Sequence, residues 1–513
     1  MLKPSSSICA VITQETLEAA RAALLDAARC ADLAEVRLDY LRDFDFSDPG
    51  LLRPLLEGRP LPVILTCRAF SEGGRQMVDE PARLRLLVEG AKAGADYCDI
   101  EYASIREALR FAPDPSRLIV SHHNFDQTPA DIQRVYEELR AVDAAVLKIA
   151  VQANRISDTL AIFKLLDRAQ SEGRNLIALG MGQSGLITRA LGPSRGSFLT
   201  YGSLGRGRES ASGQPTCEEL KKLYRVHAIS RETLVTGIIG NTVAHSASPA
   251  MHNAAFEDAG IDCVYLPFEV EDAAEFFKRF VRRETREIEW NLRGLSVTIP
   301  HKVEALDLVD EIDERGRKAG AINTVVIDGG HLRGHNTDVA GAMEPLEKVC
   351  NLRGEICAVL GAGGAARAVA QGLVERGAKV SVFARRVERA QQMARSFGVE
   401  VFPMERFESH DAPVVINTTP VGMSGHSEGV SPVPRRWLAG RRIAYDLVYN
   451  PLETAFLRDA RAEGCRIIDG LEMLVSQAAL QFELWTGSKA PADVMRKAAL
   501  EKVKRDTDLL DTR

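Results

Sequence analysis

Leu33-Ala34-Glu35-Val36-Arg37-Leu38-Asp39-Tyr40 alternates, from Ala34 onward, between apolar and charged positions. A period of two is that of an extended strand, so Glu35, Arg37 and Asp39 share one face and the apolar residues share the other. Three charges on one face do not suit a strand buried in an ordinary sheet. They suit a strand whose carboxyl end opens on the mouth of a parallel barrel, where active-site groups are built. Outward from this stretch, the first half carries eight β-rich runs separated by amphipathic helical segments. The runs are Ile8–Thr13, Leu33–Tyr40, Pro62–Arg68, Ala95–Glu101, Arg117–His123, Ala145–Gln152, Asn175–Met181 and Phe198–Ser203. Eight βα units close a (β/α)8 barrel of the TIM type, and about 220 residues is a suitable length for one.

Charge recurs at or near the ends of other runs, at Arg68, His122, His123 and Lys148. Structural ion pairs inside the barrel are the competing reading for any one of these residues. Their joint placement at strand ends favours a site. Lys148 lies in Ala145-Val146-Leu147-Lys148-Ile149-Ala150-Val151, where its neighbours are all aliphatic. Burial disfavours the charged form of a lysine, and a partly neutral amine can attack a ketone to form a Schiff base, an electron sink for removing an adjacent proton. Such chemistry needs a group that moves protons. His123, one strand earlier, is of the right type, and His122 is the alternative; strand alternation sends the two rings in different directions, so only one of them serves.

The chain has 513 residues, a 45% hydrophobic and 27% charged composition, and a formal net charge of −6. That length calls for at least two domains, and the composition is that of a globular protein with large cores. No basic stripe is present to hold a phosphate backbone, which argues against nucleic acid as a partner. Nine cysteines, odd in number and never spaced C-x-x-C, argue against a disulfide framework and a structural zinc site. The apolar run from Ile8 is too short for a signal segment or a membrane span. A cytoplasmic protein with reduced thiols and no membrane partner is expected. The junction at 217–236 has no Pro/Gly/Ser-rich linker and reads as one helix from Glu218 to about His227.

In the second half, Glu355–Leu360 reads as an apolar strand, Gly361-Ala362-Gly363-Gly364-Ala365-Ala366 opens an Ala-rich helix, and Lys379–Ala384 reads as the next strand. Gly361 permits the tight turn, Gly363 lets a pyrophosphate approach the backbone, and the helix N-terminus supplies donors. Where an NAD enzyme places an acidic residue, this chain has Ala384-Arg385-Arg386, with Arg389 one turn on. Guanidinium groups there favour the additional phosphate of NADP. Upstream, Ser246 and Ser248 could grip a carboxylate, although Ser248-Pro249 is also a helix start. Thr298 and Lys302 lie at the end of the strand beginning at Leu295, and Asn323 and Asp338 close other apolar runs. A Lys–Asp pair of this kind can hold a hydroxylated ring and pass a proton to a carbonyl oxygen as hydride arrives.

Residues 5–225 resemble the type I 3-dehydroquinate dehydratases. The resemblance is carried by Glu35–Asp39, Thr66-Cys67-Arg68 with Glu72, Ser121-His122-His123-Asn124-Phe125, Lys148-Ile149-Ala150, Met181-Gly182 with Thr188-Arg189, and Ser210-Ala211-Ser212-Gly213-Gln214. It implies that Lys148 forms the imine and His123 is the general acid/base, supported by Glu72. It also implies that Glu35, Arg37, Arg68, Arg189, Ser210 and Gln214 hold the substrate's carboxylate and hydroxyls. Residues 233–490 resemble the shikimate dehydrogenases through Gly240-Asn241 to Pro249, Ser296–Lys302, Gly320–Thr324, Gly334–Gly341, the Gly361 turn, Asn417–Met423, Tyr445–Tyr449, and Asp469-Gly470 with Gln477.

This second resemblance implies a catalytic pair Lys302 and Asp338. It gives substrate contacts at Ser246, Ser248, Thr298, Asn323, Gln477 and either Tyr449 or Tyr445. NADP falls to Gly361, Ala362, Gly363, Gly364, Ala365, Arg385, Arg386, Thr418 and Gly470. Ser296 departs from the Asn of many stand-alone members and matches the plant-type two-domain enzymes. The implied architecture is α/β throughout: a barrel over 1–228, a substrate-binding domain over 233–340 completed by helices in 471–500, and a Rossmann domain over 341–470. The implied reactions are consecutive, use small-molecule substrates and require no metal. A monomer or weak homo-oligomer is expected. The rivals are a quinate dehydrogenase preferring NAD, against which Ser246, Thr298 and the paired arginines count, and a metabolite sensor, which would have lost Lys148, His123, Lys302 or Asp338.

Overall fold

A computed structural model of the chain describes residues 7–511. Two compact units are present, Met1–Leu234 with Leu266–Asn291, and Val235–Tyr265 with Leu292–Arg513.

The first unit contains eight parallel strands: β1 (Ile8–Ile12), β2 (Leu33–Arg37), β3 (Val63–Thr66), β4 (Tyr97–Glu101), β5 (Leu118–Asn124), β6 (Val146–Gln152), β7 (Leu176–Met181) and β8 (Thr200–Ser203). Each pairs with its sequence neighbour up to β7, and β8 returns to pair with β1 through Ile8 and Thr200. Closure between β7 and β8 rests on a bridge from Leu176 to Ser197, where Phe198 N–H donates to the Leu176 carbonyl at 2.8 Å. All eight expected runs are strands, so the TIM-type barrel stands. Several strands end earlier than the sequence suggests. β2 stops at Arg37, and Leu38–Tyr40 forms a 3-10 turn, which leaves Asp39 beyond the ladder but still 1% exposed. Cys9, Val11, Leu33, Ile64, Ile119, Val146 and Ile177 fill the interior, an apolar plug beneath charged strand ends.

The junction differs from the single helix expected. A wide-turned helix spans Glu219–Leu223 and a 3-10 turn spans Val226–Ala228, separated by Arg225 at φ 53°. A non-glycine residue in the left-handed region cannot continue a right-handed helix, so the helix stops there.

A mixed six-stranded sheet follows, built from β9 (Leu234–Gly240), β10 (Cys263–Glu269), β11 (Asn291–Val297), β12 (Glu311–Ile312), β13 (Thr324–Asp328) and β14 (His331–His335) in the order β10-β9-β11-β13-β14-β12. β13 is antiparallel to both β11 and β14. The helix Gly470–Thr486 packs on β13 and on the helix Asp338–Glu347. Trp485 of the former helix donates from its indole N–H to the Val325 carbonyl at 3.0 Å. It lies against Gly294, where any Cβ would overlap the indole.

The last sheet is wholly parallel: β15 (Ile356–Leu360), β16 (Lys379–Ala384), β17 (Glu400–Pro403), β18 (Val414–Asn417), β19 (Ile443–Asp446) and β20 (Arg466–Ile468), in the order β17-β16-β15-β18-β19-β20. Numbered within the sheet this is 3-2-1-4-5-6, the Rossmann order, and its direction reverses between β15 and β18. Separate apolar clusters cover the two faces, one around Val359 and Ile416, the other around Leu360 and Phe383.

Candidate active sites

The barrel mouth encloses a cavity of about 510 Å³, counting its open end, within the range usual for small-molecule sites. Its lining includes Glu35, Arg37, Arg68, Glu72, His123, Lys148, Arg189, Ser210 and Gln214, so the strand ends and following loops bring together every barrel residue to which the resemblance gives a role, while His122 and Asp39 lie outside the lining. Tyr201 and Phe125 complete much of the wall.

Lys148 is not stranded among aliphatic groups, as its own segment suggests. Its Nζ donates to Asp99 Oδ2 at 2.8 Å and Glu35 Oε1 at 3.1 Å, and it lies 4.5 Å from the centre of the Tyr201 ring. The expectation of a lone ammonium is corrected: an isolated charge is too costly to bury, and β2 and β4 supply two carboxylates across the barrel. Lys148 nevertheless lines the open cavity, where a ligand can reach it.

His123 and His122 separate as alternation requires. His123 lines the cavity, with Nδ1 3.0 Å from Glu72 Oε2. Burial, with Arg68 and Lys148 adding to it, holds the His123 ring far below the usual histidine range, so the imidazole is neutral. Burial and then Glu101 push Glu72 up to about 7.

The cations are unequally served. Arg37 makes a two-pronged pair with Asp39, at 2.9 and 2.8 Å. Arg68 meets Asp99 through both terminal nitrogens at 3.1 Å and Glu101 at 2.9 Å. Arg189, 1% exposed, has no carboxylate partner among the described residues; its Nε is unmatched, and burial lowers its guanidinium to about 10. A buried, unmatched guanidinium in a cavity wall is a ready receptor for a ligand carboxylate. Ser210 donates to Gln214 Oε1 through its backbone N–H at 2.9 Å, which steadies that loop.

Sequence reasoning passed over Asp99, Glu101 and Tyr201. The acids alternate in Tyr97-Cys98-Asp99-Ile100-Glu101, the same signal that marked Glu35 and Arg37. Tyr201 carries no sequence signal beyond its strand.

In the second unit, Lys302 Nζ lies 2.6 Å from Asp338 Oδ2. Asp338 opens the helix Asp338–Glu347, where a negative charge complements the helix dipole. Asn323 Nδ2 donates to Asp338 Oδ1 at 2.8 Å and reaches Gln477 Oε1 at 3.5 Å. The Ile322 N–H donates to the Lys302 carbonyl at 2.9 Å, and the Thr298 N–H to the Ile239 carbonyl at 3.0 Å, so the chain after β11 is tied to β9 and to the approach to β13. Ser246 Oγ accepts the Ser248 N–H at 3.1 Å; Ser248 is the first helical residue and Ala247 the cap, so neither serine is the N-cap. Ser296 is locked between Tyr265, whose hydroxyl donates at 2.7 Å, and Gln481, whose Oε1 accepts at 2.8 Å. Tyr445 is wholly inside the Rossmann core, whereas Tyr449 is half-buried on the loop after β19.

Gly361 has φ 120°, open to glycine but rarely to other residues, and a Cβ there would press on Thr418 Oγ1 at 2.7 Å. Thr418 itself donates to the Leu360 carbonyl at 2.7 Å. Ala362 follows in the turn, and above Gly363 and Gly364 there is open space at the start of the helix Gly364–Glu375, which contains Ala365. Arg385 and Arg386 are exposed beyond β16. The side chain of Arg389 lies outside the described residues. Gly470, behind its cap Asp469, packs against the carbonyls of Leu447 and Val448. An open glycine floor, a helix N-terminus, and arginines where an acid would repel phosphate together fit NADP.

Family models match in four segments: type I 3-dehydroquinase at 8–231, the shikimate dehydrogenase substrate-binding domain at 238–325, shikimate/quinate 5-dehydrogenase at 345–421, and the shikimate 5'-dehydrogenase C-terminal domain at 470–500. The chain is 34% identical to a chloroplastic bifunctional 3-dehydroquinate dehydratase/shikimate dehydrogenase of Arabidopsis thaliana, over 96% of this chain and 84% of the relative. It is 42% identical to a shikimate dehydrogenase (NADP(+)) of Oleidesulfovibrio alaskensis, over 50% of this chain and 90% of the relative. A crystal structure of a shikimate dehydrogenase in complex with NADP+ matches at 36% identity and a TM-score of 0.50, over 54% of this chain and 97% of that one.

Proposed function

The chain belongs to the family of bifunctional 3-dehydroquinate dehydratase/shikimate dehydrogenases, and from that premise we propose how its residues divide the work. It is a lyase and an NADP-dependent oxidoreductase of the shikimate pathway: 3-dehydroquinate is dehydrated to 3-dehydroshikimate, which is then reduced to shikimate. We assign the first reaction to 1–228, substrate binding for the second to 233–340 with 471–500, and cofactor binding to 341–470.

In the dehydratase, Lys148 attacks the ring ketone and forms an imine, which draws electrons from the adjacent C–H bond. His123, held neutral, takes the proton from that carbon and delivers one to the departing hydroxyl, which leaves as water. Glu72 occupies Nδ1 and so directs Nε2 to this task. Arg189 receives the substrate carboxylate, and Glu35, Arg37, Arg68, Ser210 and Gln214 hold the rest of the ring.

In the reductase, Ser246, Ser248, Thr298, Asn323, Tyr449 and Gln477 hold the substrate, and the Lys302 ammonium passes a proton to the carbonyl oxygen while Asp338 orients it. The turn Gly361–Ala365, with Thr418 and Gly470, receives the dinucleotide, and Arg385 and Arg386 take its additional phosphate. NADPH, when bound, supplies hydride.

The observation that carries this reading is the joint presence, in one cavity, of a lysine, a neutral histidine and a guanidinium with no carboxylate partner among the described residues. Incubation with 3-dehydroquinate and NADPH tests it: nicotinamide absorbance falls and shikimate accumulates, and borohydride with 3-dehydroquinate adds a ligand-sized mass to the Lys148 peptide. Failure to form that adduct removes the imine mechanism.

Among the described residues, no helix is long and apolar enough to cross a membrane. We place the protein in the cytoplasm as a monomer or weak homo-oligomer. None of the nine cysteines forms a disulfide among the described residues. Fractionation of the native cell and sedimentation of the purified protein test both points.

A further inference from the structure

Asp99 is 0% exposed and does not line the cavity, yet it makes the shortest contact to the nitrogen that reacts. It sits on β4, which pairs with β5, and β5 pairs with β6; the ladder aligns Asp99 with Ile119, Glu101 with Ser121, and Ser121 with Lys148. Its carboxylate reaches Ser121 and Lys148 through side-chain contacts, on three strands whose backbones are fixed by consecutive pairing. Both carboxylate oxygens are committed. Oδ1 accepts from Ser121 Oγ at 2.6 Å and Arg68 at 3.1 Å, and Oδ2 accepts from Arg68 at 3.1 Å and Lys148 at 2.8 Å. Glu35, the second carboxylate on Lys148, differs because it lines the cavity and can turn to a ligand.

Charge balance gives this arrangement a role. When an ammonium condenses with a ketone, R–NH3+ and O=C become R–NH+=C and water: the C–N bonds form, the C=O bond breaks, and its oxygen leaves with two of the nitrogen's protons. The nitrogen carries one positive charge at the start and at the end; in between it gives one proton to the neutral His123, attacks as the free amine, and that proton returns to the departing oxygen. A fixed anion behind it suits both states and favours the protonated imine, the form that draws electrons most strongly.

We propose that Asp99 is a further catalytic residue of the dehydratase, the immobile counterion that stabilises the iminium formed at the Lys148 nitrogen. The inference rests on the assignment of Lys148 as the imine-forming residue. Arg68 and Ser121 hold the carboxylate from behind, so a ligand that displaces Glu35 leaves Asp99 in place.

The test uses the full chain. Asp99→Asn keeps the shape and removes the charge; it lowers dehydratase kcat by about 100-fold, the scale of losing one preorganised electrostatic partner, while KM stays within about 3-fold. Borohydride trapping on Lys148 slows in parallel, and reductase activity is unchanged. Asp99→Glu retains the charge and recovers at least roughly a tenth of the wild-type kcat. If Asp99→Asn loses the barrel's thermal transition, Asp99→Glu decides: a folded Glu variant that traps no imine overturns the proposal. An Asn variant with kcat within about 3-fold of wild type, or one whose loss lies entirely in KM, also overturns it. A wild-type protein without the borohydride adduct refutes the Lys148 assignment as well, whereas an adduct equal in wild type and Asp99→Asn refutes only the role of Asp99.

Discussion

In the barrel, the Lys148 side chain is 5% exposed and faces two carboxylates from β2 and β4; in the second unit, Lys302 keeps 29% exposure and faces one carboxylate at a helix start. The first lysine belongs to a shared network in which Arg68, Asp99, Glu35 and Glu101 each serve more than one partner. The second belongs to a smaller group, closed by Asn323. The contrast follows the chemistry. A site that makes a covalent bond with its own side chain must fix that side chain's charge before substrate arrives, and burial makes each fixed charge count for more. A site that borrows hydride from a dinucleotide needs a proton donor and room for two ligands.

Lys148→Ala breaks the contrast most severely. It removes the nucleophile and lowers dehydratase kcat on the order of 10^4-fold or more, with the reductase unchanged in a coupled assay of both activities. Lys302→Ala does the reverse, cutting reductase kcat by about 10^2- to 10^4-fold while dehydratase turnover holds. Equal loss of both activities in either variant would mean that the two sites are not independent. Arg189→Ala sharpens the view of that guanidinium as the free cation: KM for 3-dehydroquinate rises roughly 30-fold, about 2 kcal/mol for a charge-assisted pair, with a smaller change in kcat. Gly361→Ala forces a side chain onto the φ 120° turn and Thr418. It raises KM for NADPH by about 10-fold, since strain of this kind costs about 1 to 3 kcal/mol, and titration of cofactor fluorescence reads the loss.

The smallest effect is one of stability. His252 is fully buried, stacked on Tyr265 with ring centres 4.4 Å apart, and burial lowers its pKa to about 3. The folded ring stays neutral while an unfolded one takes up a proton below about 6.5, so stability is full above that pH and declines as pH falls towards about 3. His252→Phe keeps a ring and discards the titration. Its thermal midpoint declines less over that interval than the wild type's, and parallel curves would show that His252 contributes nothing to acid sensitivity.

Much of this was legible in the sequence because period and turn chemistry are local. The alternation at Glu35–Asp39 and the glycine turn before an Ala-rich helix each encode a strand end, and the eightfold repetition of βα units implies the barrel, whereas the order of the mixed sheet carries no such mark. Partnership was not local. Lys148 and Asp99 are 49 residues apart and meet only after the barrel closes, so the segment around Lys148 advertised a solitary charge that the fold does not contain. Asp99 and Glu101 carried the same alternation as Glu35 and Arg37, but nothing in a single strand says which of its acids faces a lysine. The break at Arg225 was hidden for another reason: a left-handed arginine has no compositional mark, unlike a glycine at the same angle.

The vacancy at Gly294 gives the second unit an order of assembly. The indole that fills it belongs to Trp485, which also anchors to a carbonyl 160 residues earlier in the chain. During synthesis, β11 and β13 emerge long before that tryptophan, and the face of their pair at Gly294 stays uncovered until it arrives. Contacts of such long sequence separation are costly to form and slow folding.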